Sequence, residues 1–223
     1  GYDTVEWVAG QPWCDGNVGT SGGSYMARVQ WLLAKEQPPH LKAMAPSISS
    51  DTPAPQATVW YGVIALIMGA SSAATVGMDI AEKLRAQGKD VSQMQQALSR
   101  VVSNPEEVLS YLPLKDIPNF NFSGLKEVWY NRGMKALPSP DQSPGIYWDY
   151  EKVTVPCLHQ SGWYDFNQRG TLINYRKMKE RGGSPLSRQA QHLILGPWAH
   201  GQMAGLLGVK KAVEDAGGEV LGV

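Results

Sequence analysis

The sequence is poor in the features that mark several large protein classes. It holds two cysteines, Cys14 and Cys157. Two thiols cannot form the disulfide framework of a small secreted domain, nor supply four zinc ligands. Both read as small buried residues, Cys14 before a turn and Cys157 in an apolar strand. No sign of charge is in excess: 20 basic side chains face 20 acidic ones. That balance gives no electrostatic case for nucleic acid or for an anionic membrane surface as a partner. No apolar run approaches the roughly 18 residues that a spanning helix needs. The longest, Val63 to Met68, predicts buried helix. No internal repeat is visible. The chain opens at Gly1 without an initiator Met or a charged-then-apolar leader. It reads as a piece of something longer, and its compartment stays open, with the cytoplasm favoured.

What is present suffices for a core. The 223 residues are 43% hydrophobic and 18% charged, which suits one folded domain or one domain with a large insertion. Residues 3–10 have helical spacing, with Asp3 and Glu6 early and Val5 and Val8 beside Trp7. Residues 16–22 predict a buried strand of small residues. Tyr25 to Lys35 predicts a helix with Met26, Val29, Leu32 and Leu33 inward, broken by Pro38-Pro39. Leu41 to Ile48 predicts a second buried strand, completing a parallel strand–helix–strand unit. Residues 50–150 differ: helices are predicted near 56–69, 71–87 and 90–101, with a further start at Pro105 to Leu109 and an irregular aromatic tail over 111–146. From Val153 the α/β pattern returns. Val153 to Gln160 predicts a strand, Phe166 to Glu180 a helix with Leu172, Tyr175 and Met178 inward, and His192 to Leu195 a strand. Residues 209–216 can form a short helix. The expected organisation is an α/β core over 1–49 and 151–204, a helical insertion over 50–150 and a tail of unknown role over 205–223.

Three segments carry chemistry. Gly19-Thr20-Ser21-Gly22-Gly23-Ser24-Tyr25-Met26-Ala27 puts serine at a strand-to-helix turn, the setting of a nucleophile elbow. There the serine is strained, and its neighbours must be small because strand and helix cross closely. Ser21 matches the literal G-x-S-x-G string. Ser24 is preferred, because a helix opening on Gly22-Gly23-Ser24 starts badly and a strand needs residues 17–22. The second segment is Ser161-Gly162-Trp163-Tyr164-Asp165. A carboxylate after a strand can orient a histidine, or it can simply cap the next helix. The third is Leu195-Gly196-Pro197-Trp198-Ala199-His200. Of the other histidines, His40 lies in a Pro-rich loop, His192 opens a strand, and His159 reads as a packed core residue. The order Ser, Asp, His, each after a predicted strand, is that of α/β-hydrolases. In a parallel sheet the carboxyl ends of the strands converge on one edge.

Trp13-Cys14-Asp15-Gly16-Asn17-Val18-Gly19, Gly22-Gly23-Ser24-Tyr25, Gly162-Trp163-Tyr164-Asp165 and Gly196-Pro197-Trp198-Ala199-His200 together resemble the cocaine-esterase and X-Pro dipeptidyl-peptidase family. The resemblance runs from residue 1 to about 202. It implies an α/β-hydrolase core, a mostly parallel sheet flanked by helices, with residues 50–150 as a helical cap. It implies Ser24 as nucleophile, Asp165 as triad acid, His200 as base and the Tyr25 backbone N–H as an oxyanion donor. The elbow of that family reads G-x-S-Y-x-G, and Ala27 replaces its last glycine here. No metal or organic cofactor is implied. The expected partner is a small ester or amide substrate.

Departures from that pattern shape the expectation. The family's second oxyanion donor is a tyrosine hydroxyl from an earlier strand loop, which would lie upstream of Gly1. The family also carries a C-terminal jelly roll, for which residues 203–223 are too few and whose start they do not resemble. A catalytically silent fragment with an incomplete oxyanion hole is therefore an alternative to an active serine hydrolase. Relatives acting on α-amino acid esters carry two carboxylates just after the triad acid, where Asn167 and Gln168 stand here. That lowers the expectation of such activity. Trp60, Tyr61, Trp129, Tyr130, Tyr147 and Trp148, with Trp163 and Phe166 beside the acid, are candidates to line an apolar acyl pocket. An ester or activated amide is the first expected substrate, and an X-Pro peptide the second. A phosphate site in the Gly19–Gly23 loop is disfavoured, since the Lys-Ser/Thr pair is missing.

Overall fold

A computed structural model describes residues 1–51, 59–60, 63–64, 66–131 and 148–200. In chain order the elements are α1 (Tyr2–Ala9), β1 (Val18–Gly23), α2 (Tyr25–Ala34) and β2 (Leu41–Ser47), then β3 (Val59–Trp60), β4 (Val63–Ile64), α3 (Leu66–Ala86), α4 (Ser92–Ser103), α5 (Pro105–Leu109) and α6 (Leu125–Trp129). They continue with β5 (Cys157–Tyr164), α7 (Gln168–Arg181), α8 (Pro185–Gln189) and β6 (Gln191–Ala199). The chain forms two units, one from Gly1–Pro53 and Gly145–Val223, the other from Ala54–Pro144.

The first unit is a four-stranded sheet in the order β1-β2-β5-β6, and every neighbouring pair is parallel. Each parallel step needs a crossover, which α2 supplies between β1 and β2 and α7 between β5 and β6. Both helices reach one hydroxyl, for Trp31 of α2 and Asn174 of α7 each donate to Ser49 Oγ, at 2.8 and 3.3 Å. The core gathers Val5, Trp31, Leu41, Met44, Trp148, Tyr150, Val153, Cys157 and Met178.

Several expectations shift. The residues of α2 that meet the sheet are Ala27, Gln30, Trp31 and Ala34, while Met26 and Val29 are exposed. The helix crosses so tightly that alanine, rather than methionine or valine, fits the contact face. β1 lies at one edge of the described sheet, and its residues 18–22 alternate between half-covered and exposed before the buried Gly23, so it is not the buried strand expected from its composition. β5 starts four residues later than expected, because Pro156 has no N–H for the ladder. It also runs through Ser161–Tyr164, expected to be loop, because these residues continue to pair with β6. α7 buries Gly170, Thr171, Asn174 and Met178, leaving Leu172 and Tyr175 half-covered. The short helix α8, not expected from the sequence, is fixed by a reciprocal capping box between Ser184 and Ser187.

In the second unit, Val59–Trp60 and Val63–Ile64 pair antiparallel, where helix was expected. β-branched residues at those positions favour the extended chain. One helix, α3, then runs unbroken through Gly69 and Gly77, although a break near residue 70 was expected. Gly77 is contact surface: a Cβ there would fall 2.9 Å from the side chains of Leu98 and Leu125. The core of this unit gathers Ala70, Ala73 and Ala74 of α3 with Leu98, Val101, Ile117, Phe120, Leu125 and Trp129. The stretch expected to be irregular holds two short 3-10 turns, Leu114–Asp116 and Pro118–Phe120, before α6. The tail over 205–223, including the helix expected at 209–216, lies outside the described residues.

Candidate active site

The site begins where β1 hands over to α2. Ser24 is the single residue between them, with φ 56° and ψ −116°. A non-glycine residue in such backbone costs about 1–3 kcal/mol and persists only when its surroundings impose it. The Ser24 N–H donates to Ser47 O at 3.0 Å, pinning the turn to the end of β2. Serine at a helix N-terminus usually caps it through Oγ. Here Oγ makes no cap bond and lies 3.1 Å from His200 Nε2 instead. Gly22, two residues earlier, has φ 150°, and a Cβ there would fall 2.6 Å from Met26 Cβ. That close approach makes the glycine obligatory. Ser21 lies inside β1 with its residue exposed, away from the turn. The first N–H groups of a helix have no intrahelical partner. Arg28 N is the first to bond back, to Ser24 O, so the Tyr25 N–H at the start of α2 is one of those groups.

Asp165 and His200 follow β5 and β6. Side by side in the sheet, these strands bring both loops to the end at which β1 delivers Ser24. His200 Nδ1 is 2.8 Å from Asp165 Oδ2. Facing a carboxylate, Nδ1 carries the proton, so the neutral ring offers Nε2 as acceptor to the Ser24 hydroxyl. The Asp165 carboxylate is fully enclosed, while the imidazole is 24% exposed. Asp165 Oδ1 accepts the Asn167 N–H at 2.6 Å. Of the two readings of the sequence, histidine pairing is realised and helix capping is not: the N-cap of α7 is Asn167, no side chain caps the helix, and Asp165 Oδ1 closes the turn before it.

The surroundings lock these positions. Asn167 Nδ2 donates to Ile48 O at 3.1 Å, and the Ile48 N–H donates to Gln160 O at 2.7 Å. The Phe166 ring stacks on the His200 imidazole, centroids 3.9 Å apart. Near the site, β6 has one residue more than β5: Gly162 pairs with Gly196, and Tyr164 with Ala199. Such a bulge re-aims the chain beyond it, and here that chain carries His200.

The aromatic candidates separate. Phe166 reaches the site as described, and Trp163 and Tyr25 are exposed on the segments flanking Asp165 and Ser24. Trp148 does not line a pocket: it is buried, stacked on Trp31 at 6.0 Å, with its N–H donated to Ser50 O. Trp129 is buried in the helical unit, stacked on Phe120 at 4.6 Å and donating to Leu114 O, and it borders a cavity of about 250 Å³ there with Lys115, Ile117, Phe120 and Lys126. Tyr130 is exposed. Tyr61, Tyr147 and the Trp60 side chain lie outside the described residues. His159 is a core residue, fully buried, with Nε2 2.7 Å from Gln191 Oε1. Burial pushes it down to about 4. Burial pushes the Cys157 thiol up to about 12, so it is no nucleophile. The supporting role of Asn167 and the involvement of Gln30 escaped sequence reasoning, since polar residues on a helix face look solvated until the neighbours are known.

Among the described residues, no group of three or more His, Cys, Asp or Glu side chains could hold a metal ion, and no helix is long and apolar enough to cross a membrane. A parallel sheet with serine at a strand–helix elbow, then an acid and a histidine after later strands, places the chain in the α/β-hydrolase class. The chain belongs to the X-Pro dipeptidyl-peptidase (S15) family, whose model matches residues 1–202. It is 29% identical over 213 residues to a cocaine esterase from Rhodococcus sp. (strain MB1 Bresler), which covers 91% of this chain and 34% of the relative. Similar solved structures include a CocE/NonD family hydrolase from Staphylococcus aureus, with TM-score 0.49, 19% identity and coverage of 96% of this chain and 31% of that one. An aminopeptidase from a marine sediment archaeon, Thaumarchaeota archaeon, gives TM-score 0.49 and 20% identity over 90% of this chain and 32% of that one. The chain thus spans about a third of the length of these relatives.

Proposed function

We propose that this chain carries the centre of a serine hydrolase that cleaves a carboxylic ester or activated amide. The observation that carries the reading is the hydrogen-bonded series from Ser24 Oγ to His200 Nε2, and from His200 Nδ1 to the buried Asp165 carboxylate. Ser24 Oγ bonds to the acyl carbon as its proton passes to His200 Nε2. Asp165 stabilises the imidazolium. The Tyr25 N–H donates to the oxyanion that develops on the carbonyl oxygen. His200 returns the proton to the leaving alcohol or amine, and a water activated by the same ring hydrolyses the acyl-enzyme.

Substrate choice rests on the surroundings. Tyr25, Trp163 and Tyr164 are exposed on the flanking segments, which supports an apolar acyl group. Asn167 and Gln168 supply no charge for an α-ammonium group, and the Asn167 side chain is already bonded to Ile48 O. The cocaine-esterase relative favours an ester. The description of the family model favours a second reading, peptide-bond hydrolysis after proline.

The test is intact-mass labelling of the folded chain with a fluorophosphonate, beside Ser24→Ala and Ser21→Ala. One adduct, lost in Ser24→Ala and kept in Ser21→Ala, is expected. p-Nitrophenyl esters and Xaa-Pro p-nitroanilides then separate the two substrate readings. A folded chain that takes no adduct would defeat the proposal and make this a silent centre.

A further inference from the structure

Gln30 is the only polar side chain in the buried set of α2, and its four hydrogen-bonding positions are all filled. Its Nε2 donates to Gly22 O at 3.0 Å and to Met26 O at 3.3 Å. Its Oε1 accepts from Thr20 Oγ1 at 3.1 Å and from the Ala45 N–H at 3.2 Å. The amide orientation is forced. A backbone N–H can only donate and a carbonyl can only accept, so the oxygen must face Ala45 and the nitrogen must face Gly22 and Met26. A buried amide normally costs folding energy unless satisfied, and this one is satisfied by the two arms of the elbow. Gly22 stands two residues before Ser24, and Met26 two after it. Thr20 and Ala45 belong to the strands beneath.

Resting on the reading of Ser24 as nucleophile, we infer that Gln30 is a positioning residue: its amide clamps the Gly22 and Met26 carbonyls and so holds Ser24 in the strained backbone that presents Oγ to His200. The strain makes the clamp necessary. Nothing in the intrinsic preference of serine favours φ 56°, and the free peptide would relax toward ordinary helix or strand. The Ser24 N–H bond to Ser47 holds the turn from the sheet side, and Gln30 holds it from the helix side. Gln30 acts through the backbone and touches no reacting atom.

The predicted consequence is a loss of rate in excess of any loss of folding. Gln30→Met keeps the length and removes all four bonds. Misplacing a nucleophile by about 1 Å costs on the order of 100-fold in rate, and that is the fall expected in the second-order constant for phosphonylation of the folded fraction. With an ester substrate, the loss is expected in kcat, with KM held. Gln30→Glu separates donation from packing. When protonated, its carboxyl donates to one carbonyl as the amide does. When ionised, it sets a charge against Gly22 O and Met26 O. The four groups bonded to Gln30 are uncharged, so the change reports on this residue. The ratio of the Gln30→Glu rate to the wild-type rate therefore falls as pH rises.

The experiment measures phosphonylation by intact mass from pH 5 to 9 for wild type, Gln30→Met, Gln30→Glu and Met178→Ala. Met178 is fully buried in the same unit but lies on α7, so its variant shows what destabilisation alone does. A slow Gln30→Met beside a Met178→Ala that labels at the wild-type rate when folded supports the inference, as does a pH-dependent Gln30→Glu ratio. A labelled wild type, with folded Gln30 variants that match its rate and give a flat ratio, would overturn it while leaving Ser24 as nucleophile. A folded wild type that takes no label removes the nucleophile reading and this inference together.

Discussion

Gly162→Ala tests whether the bulge between β5 and β6 aims His200. A Cβ added at Gly162 would fall 1.9 Å from Trp198 O. That oxygen is backbone, so no rotamer change relieves the clash. Carbon and carbonyl oxygen rest about 3.3 Å apart at closest, so β6 must retreat by more than about 1 Å. β6 is an edge of the described sheet, which lets it move, and His200 stands two residues beyond Trp198. A retreat of that size stretches the 2.8 Å contact between His200 Nδ1 and Asp165 Oδ2 to roughly 4 Å, beyond hydrogen-bonding range. The expected result is a phosphonylation rate about 100-fold lower. Overpacking adds about 1–3 kcal/mol of lost stability, read from the urea midpoint. Gly19→Ala is the control: a Cβ there meets its nearest neighbour at 3.9 Å, and a near-wild-type rate is expected. A folded Gly162→Ala chain that labels as fast as wild type would refute the argument that this close approach sets the histidine.

Three further outcomes follow from the geometry. Asp165→Asn should slow labelling by about 10⁴-fold, because an amide that donates to Nδ1 imposes the wrong tautomer on His200; a loss under tenfold would deny Asp165 its role. His159 has its pKa lowered from 6.5 to about 4, and its Nδ1 has no acceptor among the described residues. Between those values the unfolded chain binds more protons than the folded one. Stability is therefore lost as pH falls from about 6.5 toward 4, by about 2 kcal/mol between pH 7 and 5, and urea midpoints of His159→Gln should lack that component. Native-state alkylation at pH 8 should modify Cys14 and spare the buried Cys157 until urea is added, which intact mass reads directly.

How much was legible varied with the kind of signal. Ser24 could be preferred over Ser21 from the sequence because a strand-to-helix turn is a local event: glycines before it and helix formers after it mark its position. The helix face of α2 was misjudged for a related local reason. Counting apolar residues selected Met26 and Val29, but the contact face is set by how closely α2 crosses β1 and β2, which favours Ala27 and Ala34. The break expected near residue 70 failed for the same reason, since a lone sequence does not say whether a small residue ends a helix or packs inside it. Trp148 was a plausible pocket residue until its stacking partner, Trp31, was known.

The sequence by itself determined the alternation of strands and helices, the turn on which Ser24 sits, and the order of serine, acid and histidine along the chain. These depend on periodicity and turn chemistry, which act over a few residues. Only the tertiary structure decided what meets across long separations. Ser24 and His200 lie 176 positions apart, yet Oγ and Nε2 are within 3.1 Å. Their meeting depends on the strand order β1-β2-β5-β6, the bulge at Gly162 and the amide of Gln30 beneath the elbow. Strand order and side-chain satisfaction are properties of the packed core, where each group's energy depends on its neighbours, and no local stretch of sequence contains those neighbours.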